Sequence, residues 1–405
     1  MARVSHLVCL RCGTQHVAGD VPHVCTCRGI LDVIPNPDDA KALTVALLEG
    51  RPHSIWRYAE LLPLPMGAEV PPQPVGWTPI IESPRLAAWC GVERLLLKDD
   101  GRNPSASFKD RASAVASAHA RVLGYDTLAC ASTGNAASSL ACMTAGMGQR
   151  AVIFIPEEAP VPKVTQLLAF GATVIKVRGG YAKAYELCSA ACERFGWYNR
   201  NCAINPYLVE GKKTCGLEIG EQLADDPPDV VAVSVGDGCT MGAIWKGLGE
   251  MYTLGILPRL PTMLGVQADG ARPLVDAFED GIQDAMPTET YTVADSINVG
   301  TPRNDMRALQ AAYASKGALI SVSDMDIVEA VKATPRLAGV FAEPAAAAAV
   351  AGVRAAALKG TIDTLSTVLV VITGNGLKDI ETARSAVGEA MICDPDIDAL
   401  EALLP

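Results

Sequence analysis

The chain has 405 residues, of which 49% are hydrophobic and 20% are charged, and its formal net charge is −11. This length exceeds one typical hydrophobic core, so a folded protein of two domains is expected. The negative charge and the lack of any basic run argue against nucleic acid or an anionic membrane as a partner. No apolar stretch reaches the roughly eighteen residues that span a bilayer.

Four of the thirteen cysteines cluster near the N-terminus, as the pairs Cys9–Cys12 and Cys25–Cys27. Two such pairs can supply the four thiolates of a structural zinc site. The second pair encloses one residue, fewer than the roughly two to four that are typical, and His23 could replace one ligand. A metal-free loop is the alternative. We predict a ribbon-like extension over residues 1–50, with the zinc-bound and metal-free forms both open.

The other nine cysteines are scattered among apolar neighbours, as buried free thiols are, and an odd total does not suit a disulfide framework. Met1 to His6 lead into the first cysteine pair and not into an apolar signal segment. A reducing cytoplasm is therefore the expected location.

Beyond a proline-rich stretch at 63–79, short apolar runs alternate with helical patterns. Strands are predicted at Leu95–Lys98, Thr127–Ala131, Ala151–Ile155, Thr173–Val177, Val230–Val235, Thr262–Ala268 and Thr367–Ile372. Helices are predicted at Asp38–Glu49, Ser113–Leu123, Ala136–Met143, Val164–Phe170 and Ala182–Phe195. This alternation predicts an α/β fold with parallel sheets covered by helices.

A single lysine, Lys109, lies in the run Ser105-Ala106-Ser107-Phe108-Lys109-Asp110-Arg111, where a helix is expected to begin. Ser107 and Asp110 have the spacing of a capping box, and Asp110 and Arg111 are expected to form a structural pair. The positive helix terminus disfavours the ammonium form of Lys109, which suits a nucleophilic amine. A surface lysine on an amphipathic helix is the alternative.

Two loops follow predicted strands and could bind anions. Ser132-Thr133-Gly134-Asn135 lies between a strand and a helix, where backbone amides can hold a carboxylate, although a plain helix cap is the alternative. Gly236-Asp237-Gly238-Cys239-Thr240 precedes a helix expected to begin near Ala243, and its small residues let backbone amides close on a phosphate. The second loop matches neither the dinucleotide nor the Walker pattern.

The run around Lys109 resembles the Schiff-base lysine motif, SFKDR, of the threonine synthase family, and four further runs follow in the family's order. These runs are Cys130–Ala137, Val235–Gly242, Phe341–Pro344 and Thr373–Asp379. The resemblance extends from about Trp56 to about Asp379. It implies a pyridoxal 5′-phosphate enzyme of fold type II, with the cofactor in the cleft between two domains.

The resemblance also implies a role for each motif. Lys109 is the expected catalytic residue, both as the amine that binds the cofactor and as the base that moves the substrate α-proton. Asn135 is expected to face the ring hydroxyl of the cofactor, Thr373 its pyridine nitrogen, and the loop Gly236–Thr240 its phosphate. The loop Ser132–Asn135 is expected to hold the substrate carboxylate.

The implied domain organisation is nested. Residues 51–114 and 206–405 are expected to form the large cofactor-binding domain, and residues 115–205 a smaller α/β domain within it. Glu343, before Pro344, is interpreted as a helix start first and an active-site wall second. Because members of the family are commonly dimers, we expect a homodimer that acts on a small amino-acid substrate.

One segment departs from the family pattern. Threonine synthases hold the phosphate of O-phosphohomoserine with Asn-Ser-x-Asn-Pro-x-Arg, followed by Glu-Gly-Gln-Lys-Thr. In residues 202–214 of this chain the Asn-Pro and Glu-Gly-x-Lys-Thr frames are kept, but Cys202, Ala203 and Leu208 replace the asparagine, serine and arginine. Because one charge-assisted contact is worth about 1.5–3 kcal/mol, the loss of three predicts a different substrate.

This prediction holds unless Arg178, Lys212 or Arg303 reaches the site. The predicted function is therefore elimination or replacement at the β or γ carbon of an amino acid with a less anionic leaving group. A true threonine synthase and a threonine or serine dehydratase-like lyase are the alternatives. A non-catalytic protein of the same fold is disfavoured, because Lys109, Asn135 and Thr373 are all kept.

Overall fold

The computed structural model describes residues 3–19, 24–159, 161–202 and 204–403, with only the backbone at residue 162. The strands are β1 Val4–Cys9, β2 Gln15–His16, β3 Leu31–Pro35, β4 Ile80–Glu82, β5 Arg94–Asp99, β6 Thr127–Ala131, β7 Arg150–Pro156, β8 Thr173–Val177, β9 Tyr198–Asn199, β10 Val230–Ser234, β11 Thr262–Ala268, β12 Ala318–Val322 and β13 Thr367–Ile372. The helices are α1 Pro37–Lys41, α2 Val45–Glu49, α3 Pro84–Cys90, α4 Lys109–Val122, α5 Asn135–Gly146, α6 Val161–Ala169, α7 Gly180–Phe195, α8 Tyr207–Gln222, α9 Cys239–Thr253, α10 Pro273–Glu279, α11 Asp305–Ala314, α12 Asp324–Ala338, α13 Pro344–Leu358, α14 Ile380–Val387 and α15 Ile397–Leu403.

The strands form three sheets. The larger sheet has the order β12-β11-β10-β13-β5-β4, in which the short edge strand β4 is antiparallel and the other strands run parallel. The smaller sheet, β8-β7-β6-β9, is parallel throughout. An antiparallel sheet, β2-β1-β3, forms the N-terminal extension. The predicted α/β fold with two parallel sheets is therefore confirmed.

The predicted elements in the parallel sheets lie close to their expected positions, with two differences near the N-terminus of the chain and at α9. The helix predicted over Asp38–Glu49 is divided into α1 and α2, because the Thr44 hydroxyl accepts a hydrogen bond from the Leu47 amide and starts a new helix. The helix expected near Ala243 begins at Cys239 instead. The four strands of the smaller sheet lie within residues 115–205, and the domain boundaries themselves stay predictions.

The parallel sheets are buried on both faces, which explains their continuous apolar sequences. In β13, Val368 and Val370 pack in the same hydrophobic cluster as the alanines of α13, whereas Leu369 and Val371 pack in a second cluster with α8 and α9. The run Ala345–Ala349 is fully enclosed, so its short side chains let α13 approach the sheet closely. Among the described residues, no helix is long and apolar enough to cross a membrane.

Helices α8 and α9 approach each other at glycine positions. A Cβ on Gly247 of α9 would overlap the carbonyl oxygen of Lys213, and a Cβ on Gly216 of α8 would overlap that of Ile244. Backbone atoms of the two helices are therefore in direct contact. This close approach brings the N-terminus of α9 and the adjacent residues of α8 to the same cavity.

Gly247→Ala is expected to lower the free energy of unfolding by about 1–3 kcal/mol, because the two helix backbones must separate. Gly249→Ala is the matched control in the same helix, since a Cβ there meets no atom within 4 Å. The control should stabilise the protein by up to about 1 kcal/mol through helix propensity. Denaturant unfolding curves measure both, and equal effects of the two variants would contradict the packing.

Candidate active site

Lys109 lies at the start of α4 and lines a cavity of about 620 Å³. The wall of this cavity includes the loop Gly236–Thr240, Thr373 and Glu343, together with Cys202 and Lys212. The predicted amine, the predicted phosphate loop and the predicted ring-nitrogen partner are therefore brought together from three distant parts of the sequence. Cys202, Lys212 and Glu343 join them, although sequence reasoning gave none of these three a primary role in the site.

The predicted capping box of Ser107 and Asp110 is wrong. The Ser107 hydroxyl accepts a hydrogen bond from the Lys109 amide at 3.3 Å. The Asp110 carboxylate instead turns back to Ser105, accepting its amide at 2.6 Å and its hydroxyl at 2.5 Å. Asp110 therefore clamps the loop that precedes Lys109. The predicted pair of Asp110 with Arg111 is also wrong, because Arg111 binds other carboxylates in the core.

The loop before Lys109 is fixed against the end of β13. The Phe108 amide donates to the carbonyl oxygen of Thr373 at 2.9 Å, and the Asn375 amide donates to that of Ala106 at 3.1 Å. Ala106 adopts a left-handed backbone conformation, with φ of 64°, which costs energy for a residue other than glycine. These contacts hold the first and last of the predicted motifs side by side.

The Lys109 amine is easier to deprotonate than an ordinary lysine. Burial and the neighbouring Lys212 ammonium lower the pKa of Lys109 to about 8, against the opposing effects of Cys202 and Glu343. The pKa of Lys109 is lowered, as expected from the sequence, but the main causes are desolvation and the charge of Lys212, not the helix terminus. A lysine with this pKa is a competent nucleophile and base near neutral pH.

The loop Gly236–Thr240 leads into the N-terminus of α9, where backbone amides and the helix dipole favour an anion. Gly238 has φ of 91°, and a Cβ there would overlap the carbonyl oxygen of Asn304. The Asp237 carboxylate accepts hydrogen bonds from the Arg303 amide at 2.7 Å and from Asn304 Nδ2 at 2.6 Å. This acidic side chain is therefore committed to the next segment of chain.

Asn135 is the first residue of α5, and its side chain is held by Glu343. The Asn135 Nδ2 atom donates to both carboxylate oxygens of Glu343 at 3.0 Å. Glu343 itself is buried, and burial raises the pKa of its carboxyl. Sequence reasoning assigned Glu343 to the helix start first, but its side chain also joins the start of α5 to the start of α13.

Beside Asn135 there is a second cavity, of about 430 Å³. Thr133, Gly134 and Asn135 line it, and Glu343 lines both cavities, so the two adjoin. The hydroxyl of Ser132 accepts a hydrogen bond from the Gly134 amide at 3.2 Å, which fixes the loop. The predicted carboxylate-binding loop therefore lies next to the Lys109 cavity.

The departures from the family's phosphate-binding pattern can be located in part. Leu208 is fully buried in the hydrophobic core of the smaller sheet, and Ala203 lies outside the described residues. The side chain of Arg178 is 90% exposed, and Arg303 lies over the ring of Tyr185. Lys212, in contrast, lines the cavity, where its Nζ lies 3.2 Å from the Sγ of Cys202.

The four N-terminal cysteines converge on one point. The Sγ atoms of Cys9, Cys12, Cys25 and Cys27 all lie within 4.8 Å of one another. The separations Cys9–Cys27 and Cys12–Cys25 are 3.5 and 3.7 Å. A tetrahedral zinc with Zn–S bonds of about 2.3 Å would place its sulfurs about 3.8 Å apart, so the arrangement fits such an ion. His23 lies outside the described residues.

Comparison with known proteins identifies the family. A family model described as pyridoxal-phosphate dependent enzyme matches residues 72–374. The threonine synthase of Methanocaldococcus jannaschii is 36% identical over 399 residues, covering 98% of each chain. That of Methanosarcina acetivorans is 39% identical over 402 residues, covering 98% of this chain and 97% of the relative. The chain belongs to the threonine synthase family.

Solved structures agree with the fold. A processed threonine deaminase isoform 2 from Solanum lycopersicum has a TM-score of 0.65 at 20% identity, covering 77% of this chain and 88% of that chain. Diaminopropionate ammonia lyase from Escherichia coli has a TM-score of 0.65 at 20% identity, covering 76% of this chain and 87% of that chain. At this identity the likeness shows the fold alone, which is fold type II, as predicted.

The family establishes a pyridoxal-phosphate-dependent lyase of the carbon–oxygen class, as predicted from the sequence. The cavity residues fit this cofactor. They offer the amine of Lys109, the amides at the N-terminus of α9 and the hydroxyl of Thr373, which suit an aldehyde, a phosphate and a ring nitrogen. Gly238 fits as well, because any side chain there would displace the loop that is predicted to bind the phosphate.

Lys109→Ala is expected to abolish the visible absorbance of lysine-bound cofactor and to lower kcat/KM by about a thousandfold or more, because this residue is predicted to be both the amine and the base. The exposed Lys359, after α13, provides the control Lys359→Ala, which should match the wild type. Absorbance spectra and steady-state rates check both. A Lys109→Ala enzyme that kept its visible band would contradict this role.

Proposed function

We propose that this enzyme catalyses elimination or replacement at the β or γ carbon of an amino acid whose leaving group is not a phosphate. Three cations could take the place of the phosphate contacts that the family pattern has and this chain lacks, and their positions support the proposal. Arg178 is exposed, Arg303 lies over Tyr185, and Lys212 reaches the cavity but contacts the Cys202 thiol. None of these three described residues is therefore a cation that lies in the cavity and is free to bind a dianionic leaving group.

In the proposed mechanism, bound pyridoxal phosphate supplies an electron sink for the charge left when the substrate α-proton departs. Lys109 carries that proton at its Nζ, and its pKa of about 8 matches the task at neutral pH. The backbone amides of Thr133 to Asn135 orient the substrate carboxylate, and Glu343 keeps the Asn135 amide in one orientation. Thr373, a neutral partner for the ring nitrogen, favours elimination over transamination.

A true threonine synthase is the second candidate. The favourable observation is the match to the threonine synthases of Methanocaldococcus jannaschii and Methanosarcina acetivorans over nearly the whole of each chain. Under this candidate Lys212 would exchange the Cys202 thiol for the substrate phosphate. The dehydratase-like alternative is supported only by the fold that the chain shares with solved structures such as the threonine deaminase.

Assays of the holoenzyme with O-phosphohomoserine, O-acetylhomoserine, O-acetylserine, homoserine, serine and threonine separate the two candidates. We expect one of the five unphosphorylated compounds to have a kcat/KM at least about a hundredfold above that of O-phosphohomoserine, which is a lower limit for the loss of three charge-assisted contacts. The Lys109→Ala enzyme gives the background rate. Efficient release of threonine and phosphate from O-phosphohomoserine would establish the second candidate instead.

We also propose that the N-terminal extension holds one structural zinc ion on Cys9, Cys12, Cys25 and Cys27. The support is the convergence of four thiols in a small sheet that has a limited core of its own. The ion would fix the loops of the sheet. The homodimer and the cytoplasmic location stay predictions from the sequence.

Metal analysis of the purified protein is expected to find one zinc per chain. Cys12→Ser should lose most of the metal, because three thiolates bind zinc much more weakly than four. Cys393→Ser, which removes an exposed thiol outside the cluster, is the control and should keep the metal. A wild-type protein purified without zinc, and unable to take it up, would favour the metal-free loop.

A further inference from the structure

Two buried cations face one thiol in the wall of the Lys109 cavity. The Lys212 Nζ donates to the Cys202 Sγ at 3.2 Å, and the Arg200 Nη1 donates to the same Sγ at 3.7 Å. Lys212 is 2% exposed and Arg200 is 1% exposed. The other side of the Arg200 guanidinium donates to the neutral hydroxyl of Ser113. In the part of the chain that the structure describes, neither cation forms an ion pair with a carboxylate within 4.0 Å.

A buried cation without a counter-charge costs several kcal/mol, so negative charge beside Lys212 and Arg200 is favoured. Cys202 is the group in contact with both cations. A thiol beside lysine and arginine ionises readily. A hydrogen bond with Cys239, followed by the charges of Lys212 and Arg200, holds the pKa of Cys202 well below its usual range against the opposing effect of burial.

We infer that Cys202 acts as a thiolate and determines the charge of the substrate side chain that this cavity accepts. The thiolate supplies the negative charge that a phosphorylated side chain would otherwise bring to Lys212 and Arg200. A phosphate would have to displace or protonate it. The substrate class that follows is amino acids with an uncharged leaving group, such as a hydroxyl or an acyl ester. This inference rests on the proposed function and names the residue responsible for it.

The inference predicts a gain of binding, which a merely damaged protein would not show. Cys202→Ala leaves Lys212 and Arg200 without their counter-charge, so the holoenzyme should bind inorganic phosphate about ten- to a hundredfold more tightly than the wild type. Cys202→Ser, which is neutral and close in size to cysteine, should show the same gain. Cys202→Asp keeps the negative charge and should bind phosphate as weakly as the wild type.

Titration calorimetry with inorganic phosphate measures these affinities in the holoenzyme, where the cofactor already occupies its own phosphate site. Cys188→Ala is the matched control, because it removes a buried thiol of α7 that lies outside the cavity lining. The control should bind phosphate like the wild type. The inference fails if the alanine and serine variants show no gain, if the aspartate variant gains equally, or if the variants change only the retention of cofactor.

The substrate assay keeps this inference separate from the proposed function. Efficient turnover of O-phosphohomoserine by the wild type overturns the proposed function. A wild type that rejects O-phosphohomoserine, with Cys202→Ala and Cys202→Ser variants that do not bind phosphate more tightly, overturns the role of Cys202 alone. A rise in the kcat/KM for O-phosphohomoserine relative to an unphosphorylated substrate in the alanine variant supports both.

Discussion

The guanidinium of Arg111 joins the elements on which the site depends. It pairs with Asp100, which follows β5, and with Glu218 of α8, and Glu218 also pairs with Lys98. All four side chains are fully buried, so loss of one partner would leave an uncompensated charge in the core. Because Lys109 lies in the same turn as Arg111, and Lys212 lies on α8 with Glu218, this cluster sets how the two lysines of the cavity face each other.

That arrangement makes charge balance the central property of the cavity. Lys212 lowers the pKa of Lys109, which suits the proposed role of the amine. An unpaired ammonium at Lys212 would also repel any other positively charged group in the cavity. Cys202 and Glu343, which also line the cavity, oppose this lowering of the Lys109 pKa. The Lys212–Cys202 contact therefore serves Lys109 as well, because it limits how far the reactive lysine is deprotonated.

Local sequence patterns predicted the parallel strands other than β9 and β12, together with the order of the motifs, because short apolar runs indicate strands that are buried on both faces. The two-residue β9 is too short to give such a pattern, and β12 is only partly buried. Contacts between residues that are distant in the sequence could not be predicted from such short runs. The Asn135–Glu343 bond joins two motifs that each read as a helix start. Asp110 accepts hydrogen bonds from Ser105, in the loop before α4, and not from the Ser107 amide that a capping box requires. For Lys212 a signal did exist: a lysine stands where the family has glutamine.

Membership of a family establishes the fold, the cofactor and the class of reaction, but specificity depends on differences between neighbouring contacts. Here two substitutions act together, because Cys202 and Lys212 stand in the places of two neutral amides and contact each other. A thiolate brings one negative charge to Lys212 and Arg200, and a phosphate brings about two. Under this inference the thiolate or a substrate phosphate can balance the charges of Lys212 and Arg200, but the two anions cannot do so together. A substitution at position 202 is therefore expected to change which substrate charge the cavity accepts.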